Sequence, residues 1–372
     1  MLAFTSWHQV SAFDLQVEID QSEEGEILVI PPGEYEGPFK ITKPITLVGE
    51  GEVRLYNRKG DYVLYLETDQ VSLNNLTLLQ EKEELTTPAL LIKGNNHQLS
   101  DLVIKTMGMG IVLEQANDNR LTRIQLQGAF QDSQFTGSML TREGNGVDLY
   151  LSHNNLLEDV QVRHVQDGFY LEQSEGNTLR QNYVADSRYA FHLMFTKGTQ
   201  LVDNLAERNI NGAMIMGTEG TIVRGNHFRL HKNHVHAQGL TLYDVQHAWV
   251  TDNLLEDNLY GLYIDSSSHN HLEGNQVYHN YIGLEARRAE HNQIIGNDFV
   301  NNMISARAKD SENNLVEHNY WDAHHGLDLT GERISAIPYH ADLIFPTIIT
   351  QKPAFQLLAD APGLLFLQLV LS

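Results

Sequence analysis

Two short runs hold the residues best suited to chemistry. Residues 189–194 read Tyr-Ala-Phe-His-Leu-Met, and residues 212–216 read Gly-Ala-Met-Ile-Met. They carry His192, Met194, Met214 and Met216. Thioether sulfur is a soft donor suited to Cu(I), and imidazole also binds copper. Three thioethers and one imidazole, in a chain without cysteine, favour Cu(I) over zinc if the fold brings them together. The other reading is an exposed apolar patch that contacts another protein, because methionine-rich surfaces adapt to partners. The two readings are compatible, since a docking surface is where a metal is handed over.

A repeat supplies the means of bringing them together. Short apolar runs begin at Gly146, Gly168, Ala190, Gly212, Gly239, Gly261, Gly283 and Ser305, at intervals of 22, 22, 22, 27, 22, 22 and 22. A second marker, Asp159, Asn182, Asn204, Asn226, Asn253, Asn275, Asn297 and Asn319, keeps the same step. Each unit reads as a strand, a tight Asn or Gly turn, a second short strand and another polar turn. Asn suits such turns because it tolerates a left-handed backbone and hydrogen-bonds locally. Four or five apolar residues are too few for a helix. The expected fold is therefore all-β, a right-handed parallel β-helix of about 22-residue coils over residues 1–321, stacked about 4.8 Å apart. Insertions are expected near 129–142 and 231–237. Residues 27–33 and 44–49 look like the first coils, continued at 62–66, 89–92 and 110–114. The period stops after Tyr320-Trp321, which leaves 322–372 as a C-terminal cap or docking tail.

Strand alternation then assigns faces. Phe169, Leu171, Phe191, Leu193, Ala213, Ile215, Leu240, Leu242, Leu262 and Ile264 share one parity and should point inward; Leu284, Ala286, Ala306 and Ala308 continue the set. The other parity gives Tyr170 and Glu172, His192 and Met194, Met214 and Met216, Thr241 and Tyr243. That outer stripe is polar except at two adjacent coils, where the spacing places His192, Met194, Met214 and Met216 on one patch. Outward Asp148, Glu172, Asp265 and Glu285 read as solvated surface. His227, His231, His234 and His236 lie in or beside an insertion and read either as a metal-binding loop or as scattered turn histidines on a polar surface.

Composition narrows the rest. Lys plus Arg number 25 against 48 Asp plus Glu, a formal net charge of −23, which disfavours nucleic acid as a partner. The lack of cysteine excludes thiolate mechanisms and Cys-based metal sites. The N-terminus shows no basic and apolar signal-peptide pattern, and no run approaches the ~20 apolar residues that span a bilayer.

With these residues in view, the chain resembles the nitrous oxide reductase maturation protein NosD family. The resemblance rests on the two runs above and on residues 31–37 (PPGEYEG), 43–51 (KPITLVGEG), 142–146 (REGNG), 319–322 (NYWD) and 337–339 (IPY). It covers nearly the whole chain. It implies an extracytoplasmic protein whose export signal is not present in this numbering. It also implies work with an ABC transporter permease and ATPase in copper-centre assembly of nitrous oxide reductase, with copper received from a lipoprotein chaperone. Carried over residue by residue, the copper candidates are His192, Met194, Met214 and Met216.

Three functions compete on this reading. The first is a copper-handling assembly factor that is not an enzyme. The second is a carbohydrate-active enzyme such as a lyase, hydrolase or epimerase; such a site needs clustered carboxylates, a base and basic residues, which the methionine face is expected to lack. The third is a docking scaffold that is indifferent to metal, with the tail at 352–372 as its contact.

Overall fold

The computed structural model describes residues 13–339 apart from 83, 85, 129–143, 323 and 333. It is a right-handed parallel β-solenoid of about 13 turns, with coils of about 22 residues. The strands form a twelve-stranded sheet and a twenty-two-stranded sheet. Each regular coil contributes three strands rather than the two read from sequence. In one coil these are Tyr189–Met194 in the smaller sheet, then Gln200–Val202 and Leu205–Glu207 in the larger. The two short strands are separated by a residue with positive φ, here Asp203 at 55°. Asp and Asn accept that conformation more readily than other non-glycine residues.

The inward parity is as the alternation predicts. Phe169, Leu171, Phe191, Leu193, Ala213, Ile215, Leu240 and Leu242 are buried in one continuous core. The small residue that opens each run has a steric cause. A Cβ on Gly212 would lie 2.4 Å from the Gly239 carbonyl oxygen of the next coil. From Ala89 to Ser305 only Gly, Ala or Ser stands at that point; Val63 and Pro38 hold it in the first coils.

Inward asparagines tie coil to coil. The Asn204 backbone N–H donates to Asn226 Oδ1 at 2.9 Å, and the Asn226 N–H donates to Asn253 Oδ1 at 2.9 Å. Asn226 Nδ2 donates to the Leu201 carbonyl at 2.8 Å. The ladder runs from Val160, whose N–H donates to Asn182, through Asn275 to Asn297 and Asn319. The marker at Asp159 is therefore one position off: Asp159 is the positive-φ residue and Val160 holds the ladder position. A parallel ladder runs Ser187, Asn209, His231, Asn258 and Asn280. His231 is thus a fully buried rung, not a surface turn histidine. The five extra residues of the 27-residue step lie between it and Gln238. The insertion expected at 129–142 lies outside the described residues.

The ends differ. Helix Leu15–Gln21, not read from the sequence, is capped by Asp14 and buries Leu15 and Ile19. Gln16 bonds both the N–H and the carbonyl of Lys40, docking the helix on the first strand of the smaller sheet; covering that edge removes a site for adventitious pairing. At the other end Phe299, Trp321 and Tyr339 stack with centroids 4.2 and 4.5 Å apart. Residues 340–372, most of the expected cap or tail, lie outside the described residues.

Two predictions concern the ladders. Asn226→Ala leaves a buried N–H and a buried carbonyl unpaired, so it should lower stability by about 2–4 kcal/mol, measured as a shift in urea midpoint; exposed Gln276→Ala should not. His97 and His231 are rungs whose pKa burial pushes down to about 4 from an ordinary 6.5. The unfolded chain takes up these protons near pH 6.5 and the folded chain only near 4, so stability should fall as pH drops through that window. His231→Asn should make the decline visibly shallower in melts recorded between pH 7 and 4.

Candidate metal centre

Strand register decides which outward side chains are neighbours. Tyr170 pairs with His192 and Glu172 with Met194. His192 pairs with Met214 and Met194 with Met216. Met214 and Met216 in turn pair with Thr241 and Tyr243. All four predicted site residues therefore sit on one two-by-two grid, about 4.8 Å across strands and roughly 6.6–6.8 Å along them. The three methionines are half-buried, whereas His192 is outward by parity yet only 8 % exposed.

That burial comes from aromatic and charged neighbours. The His192 ring lies edge-on to Tyr170 and Tyr189, at centroid distances of 5.0 and 5.1 Å. Its Nδ1 is 2.7 Å from Asp167 Oδ2. Arg188 donates to the same carboxylate through Nε at 2.8 Å and Nη2 at 2.7 Å. Burial alone would raise the Asp167 pKa, but hydrogen bonds from His192 and Arg188 outweigh it and hold the carboxyl below its ordinary value. His192 Nε2 is buried and has no hydrogen-bond partner.

The thioether side is similarly organised. The Tyr170 hydroxyl lies 2.9 Å from Glu172 Oε2 and 3.4 Å from Met194 Sδ. Burial and the bond to Glu172 raise the Tyr170 pKa, so the phenol stays protonated as a donor. Asp148, next along the column, is pushed up to about 6, first by burial and also by the charges of Glu172 and Asp167. At the strand ends the rim is aromatic: Phe195 is 56 % exposed and Tyr243 42 %. Phe195 has a φ of 54°, rare for a bulky residue.

Three expectations need correction. The methionine face does not lack carboxylates and basic residues: Asp148, Asp167, Glu172 and Arg188 border it. Sequence reasoning missed Asp167 and Arg188 because they stand 25 and 4 positions before His192, and only coil stacking joins them. Asp265 and Glu285 are not solvated; they are 5 % and 7 % exposed and pair with Arg288 and Arg307. Finally, among the described residues the insertion histidines gather no metal-ligating group, so the metal-loop reading falls. His227 pairs with Glu256 at 2.8 Å, while the His234 and His236 rings lie 5.4 Å apart and the His236 N–H donates to His234 Nδ1.

Among the described residues, no three His, Cys, Asp or Glu side chains converge to hold a metal. The soft donors at His192, Met194, Met214 and Met216 are of another kind. A buried imidazole nitrogen without a partner, beside three neutral thioethers, fits a soft monovalent cation better than a hard or borderline divalent one.

Comparison with known proteins gives a fold and a family. The chain is similar in fold to a family 28 exopolygalacturonase of Yersinia enterocolitica, with TM-score 0.63, 9 % identity, and 82 % of this chain and 75 % of that one covered. It is also similar to the periplasmic alginate epimerase AlgG, with TM-score 0.56, 12 % identity and coverages of 77 % and 78 %. The tailspike receptor-binding protein of bacteriophage Det7 gives TM-score 0.59, 9 % identity and coverages of 89 % and 77 %. At such identities these likenesses concern the fold alone. A family model described as "Periplasmic copper-binding protein (NosD)" matches residues 129–340, more than half of the sequence. The match spans both methionine coils, and the chain belongs to the NosD family.

Proposed function

We propose that this chain is an extracytoplasmic copper-handling accessory protein that holds Cu(I) through His192, Met194, Met214 and Met216. The register that sets His192 against Met214 and Met194 against Met216 carries the reading. Thioethers give Cu(I) soft, neutral donors, and the imidazole adds one stronger ligand. Partial exposure of the three methionines suits a cargo that must be received and released. In keeping with the family, it would take copper from a lipoprotein chaperone, act with an ABC transporter permease and ATPase, and serve copper-centre assembly in nitrous oxide reductase.

A second reading, polysaccharide chemistry, draws on Asp148, Tyr170, His192 and Arg188 beside one another. It is weaker because Arg188 already spends its guanidinium fork on Asp167, so that fork is not free to neutralise a substrate carboxylate. Turnover of a uronate polymer by the purified protein would favour it.

Anaerobic competition against a chromophoric Cu(I) chelator should give about one equivalent bound. Replacing Met194, Met214 and Met216 together by Ala should weaken binding on the order of 100-fold or more, about 2.7 kcal/mol. Unchanged affinity would sink the copper reading. If the triple variant bound copper normally but lost its hold on the permease complex, the patch would be a docking surface.

A further inference from the structure

We infer that Asp167, locked by Arg188, is a positioning residue that fixes His192 as the Nδ1–H tautomer and so presents a bare Nε2 lone pair to the methionine patch. The inference rests on the copper reading of that patch for its consequence, but not for its geometry.

Among the described residues three histidines have a buried Nε2 without a partner: His97, His192 and His231. Their other nitrogens distinguish them. The Val71 N–H donates to His97 Nδ1 at 3.0 Å, whereas His231 Nδ1 lies 3.1 Å from both the N–H and the carbonyl oxygen of Asn209. An Nδ1 that accepts leaves the proton on Nε2, so the His97 ring presents an N–H and binds no metal there. His192 is the reverse. Its Nδ1 faces a carboxylate oxygen at 2.7 Å, and an ionised carboxylate only accepts. The proton must sit on Nδ1, and in the neutral ring Nε2 is left as an unprotonated donor.

Arg188 removes the freedom that Asp167 would otherwise have. Its two parallel bonds fix the plane of the carboxylate, a geometry that a guanidinium supplies and an ammonium does not. Arg188 also lies over the Tyr189 ring at 4.5 Å, and Tyr189 packs on His192. Carboxylate, guanidinium and imidazole thus form one rigid unit built from two adjacent coils. Such a partner on the far nitrogen orients a metal-binding imidazole and raises its basicity.

Asp167→Asn is nearly isosteric and removes the charge that holds the proton on Nδ1. The shared oxygen Oδ2 accepts from Arg188 Nη2 and faces Nδ1; where the Asn NH2 takes that place, Nδ1 must accept and the proton moves to Nε2, and where the amide oxygen takes it, Nδ1–H persists. Long-range 1H–15N correlation spectra of the apo protein labelled at histidine read this directly. The wild type should show His192 as Nδ1–H, and Asp167→Asn with its NH2 toward the ring should show Nε2–H. Anaerobic Cu(I) titration of the variant should then give affinity lower by roughly 10–100-fold, with nitrogen lost from the copper X-ray absorption spectrum. A wild-type His192 in the Nε2–H form would overturn the inference whether or not the variant folds. Unchanged Cu(I) affinity in an Asp167→Asn protein whose spectra show Nε2–H, with His192→Ala impaired, would overturn it too while leaving the copper reading in place. If His192→Ala binds copper like the wild type, the imidazole is no ligand and the copper role falls; the apo spectra still decide what Asp167 does.

Discussion

A backbone amide of one coil donating to the side-chain oxygen of a residue one coil further on is the interaction on which the rest of this protein depends. At the corners of a solenoid the chain bends and strand pairing lapses, leaving polar backbone groups inside the core. Each such group left unpaired costs about 1–3 kcal/mol. Inward asparagines answer both needs: Oδ1 accepts from the neighbouring coil's N–H, and Nδ2 donates to a carbonyl. Because every rung contacts the rungs on either side, the ladder also fixes register. A slip of one residue would turn each outward side chain inward, so the ladder and the apolar core enforce the same alignment.

That alignment makes the outer face a rigid grid, and the candidate site is a property of the grid. No segment of the chain holds the site by itself. His192 and Met194 come from one coil, Met214 and Met216 from the next, and Asp167 from the one before. Arg188 reaches back from the His192 coil to a carboxylate 21 residues earlier. The coils, being stacked strands with little freedom to shift, hold a buried carboxylate, a guanidinium and an imidazole in fixed relation beside flexible thioethers. The rigid part orients the nitrogen donor, while the methionine side chains keep the adaptability that ligand exchange requires.

The ladder tolerates substitutes where their atoms reach. His97 and His231 take the place of asparagine by setting Nδ1 against the neighbouring coil's N–H, at the price of an imidazole that must stay neutral. Ser152, Ser174 and Ser187 serve the same purpose with a hydroxyl. At the last described coils the pattern opens: inward Val316 is 48 % exposed, since no described coil stacks on it.

The all-β solenoid, the coil length and the inward parity were legible in the sequence because each is a local or periodic property: small residues where coils approach, asparagine where the chain bends, and alternation along each strand. The pairing of His192 with Met214 and of Met194 with Met216 was legible for the same reason, since a constant step makes residues one coil apart neighbours. What the period could not convey is everything that depends on where a side chain goes after leaving its strand. Only the tertiary structure joined Asp167 and Arg188 to His192, buried an outward histidine under two tyrosines, made His231 a rung instead of a loop ligand, and paired Asp265 and Glu285 with arginines. These are contacts between long side chains across coils, set by rotamers and by the exclusion of water, and a repeat fixes backbone positions without fixing either. The two runs at 189–194 and 212–216 thus named the donors, and the stacking of three coils decided which nitrogen of His192 is free to act as one.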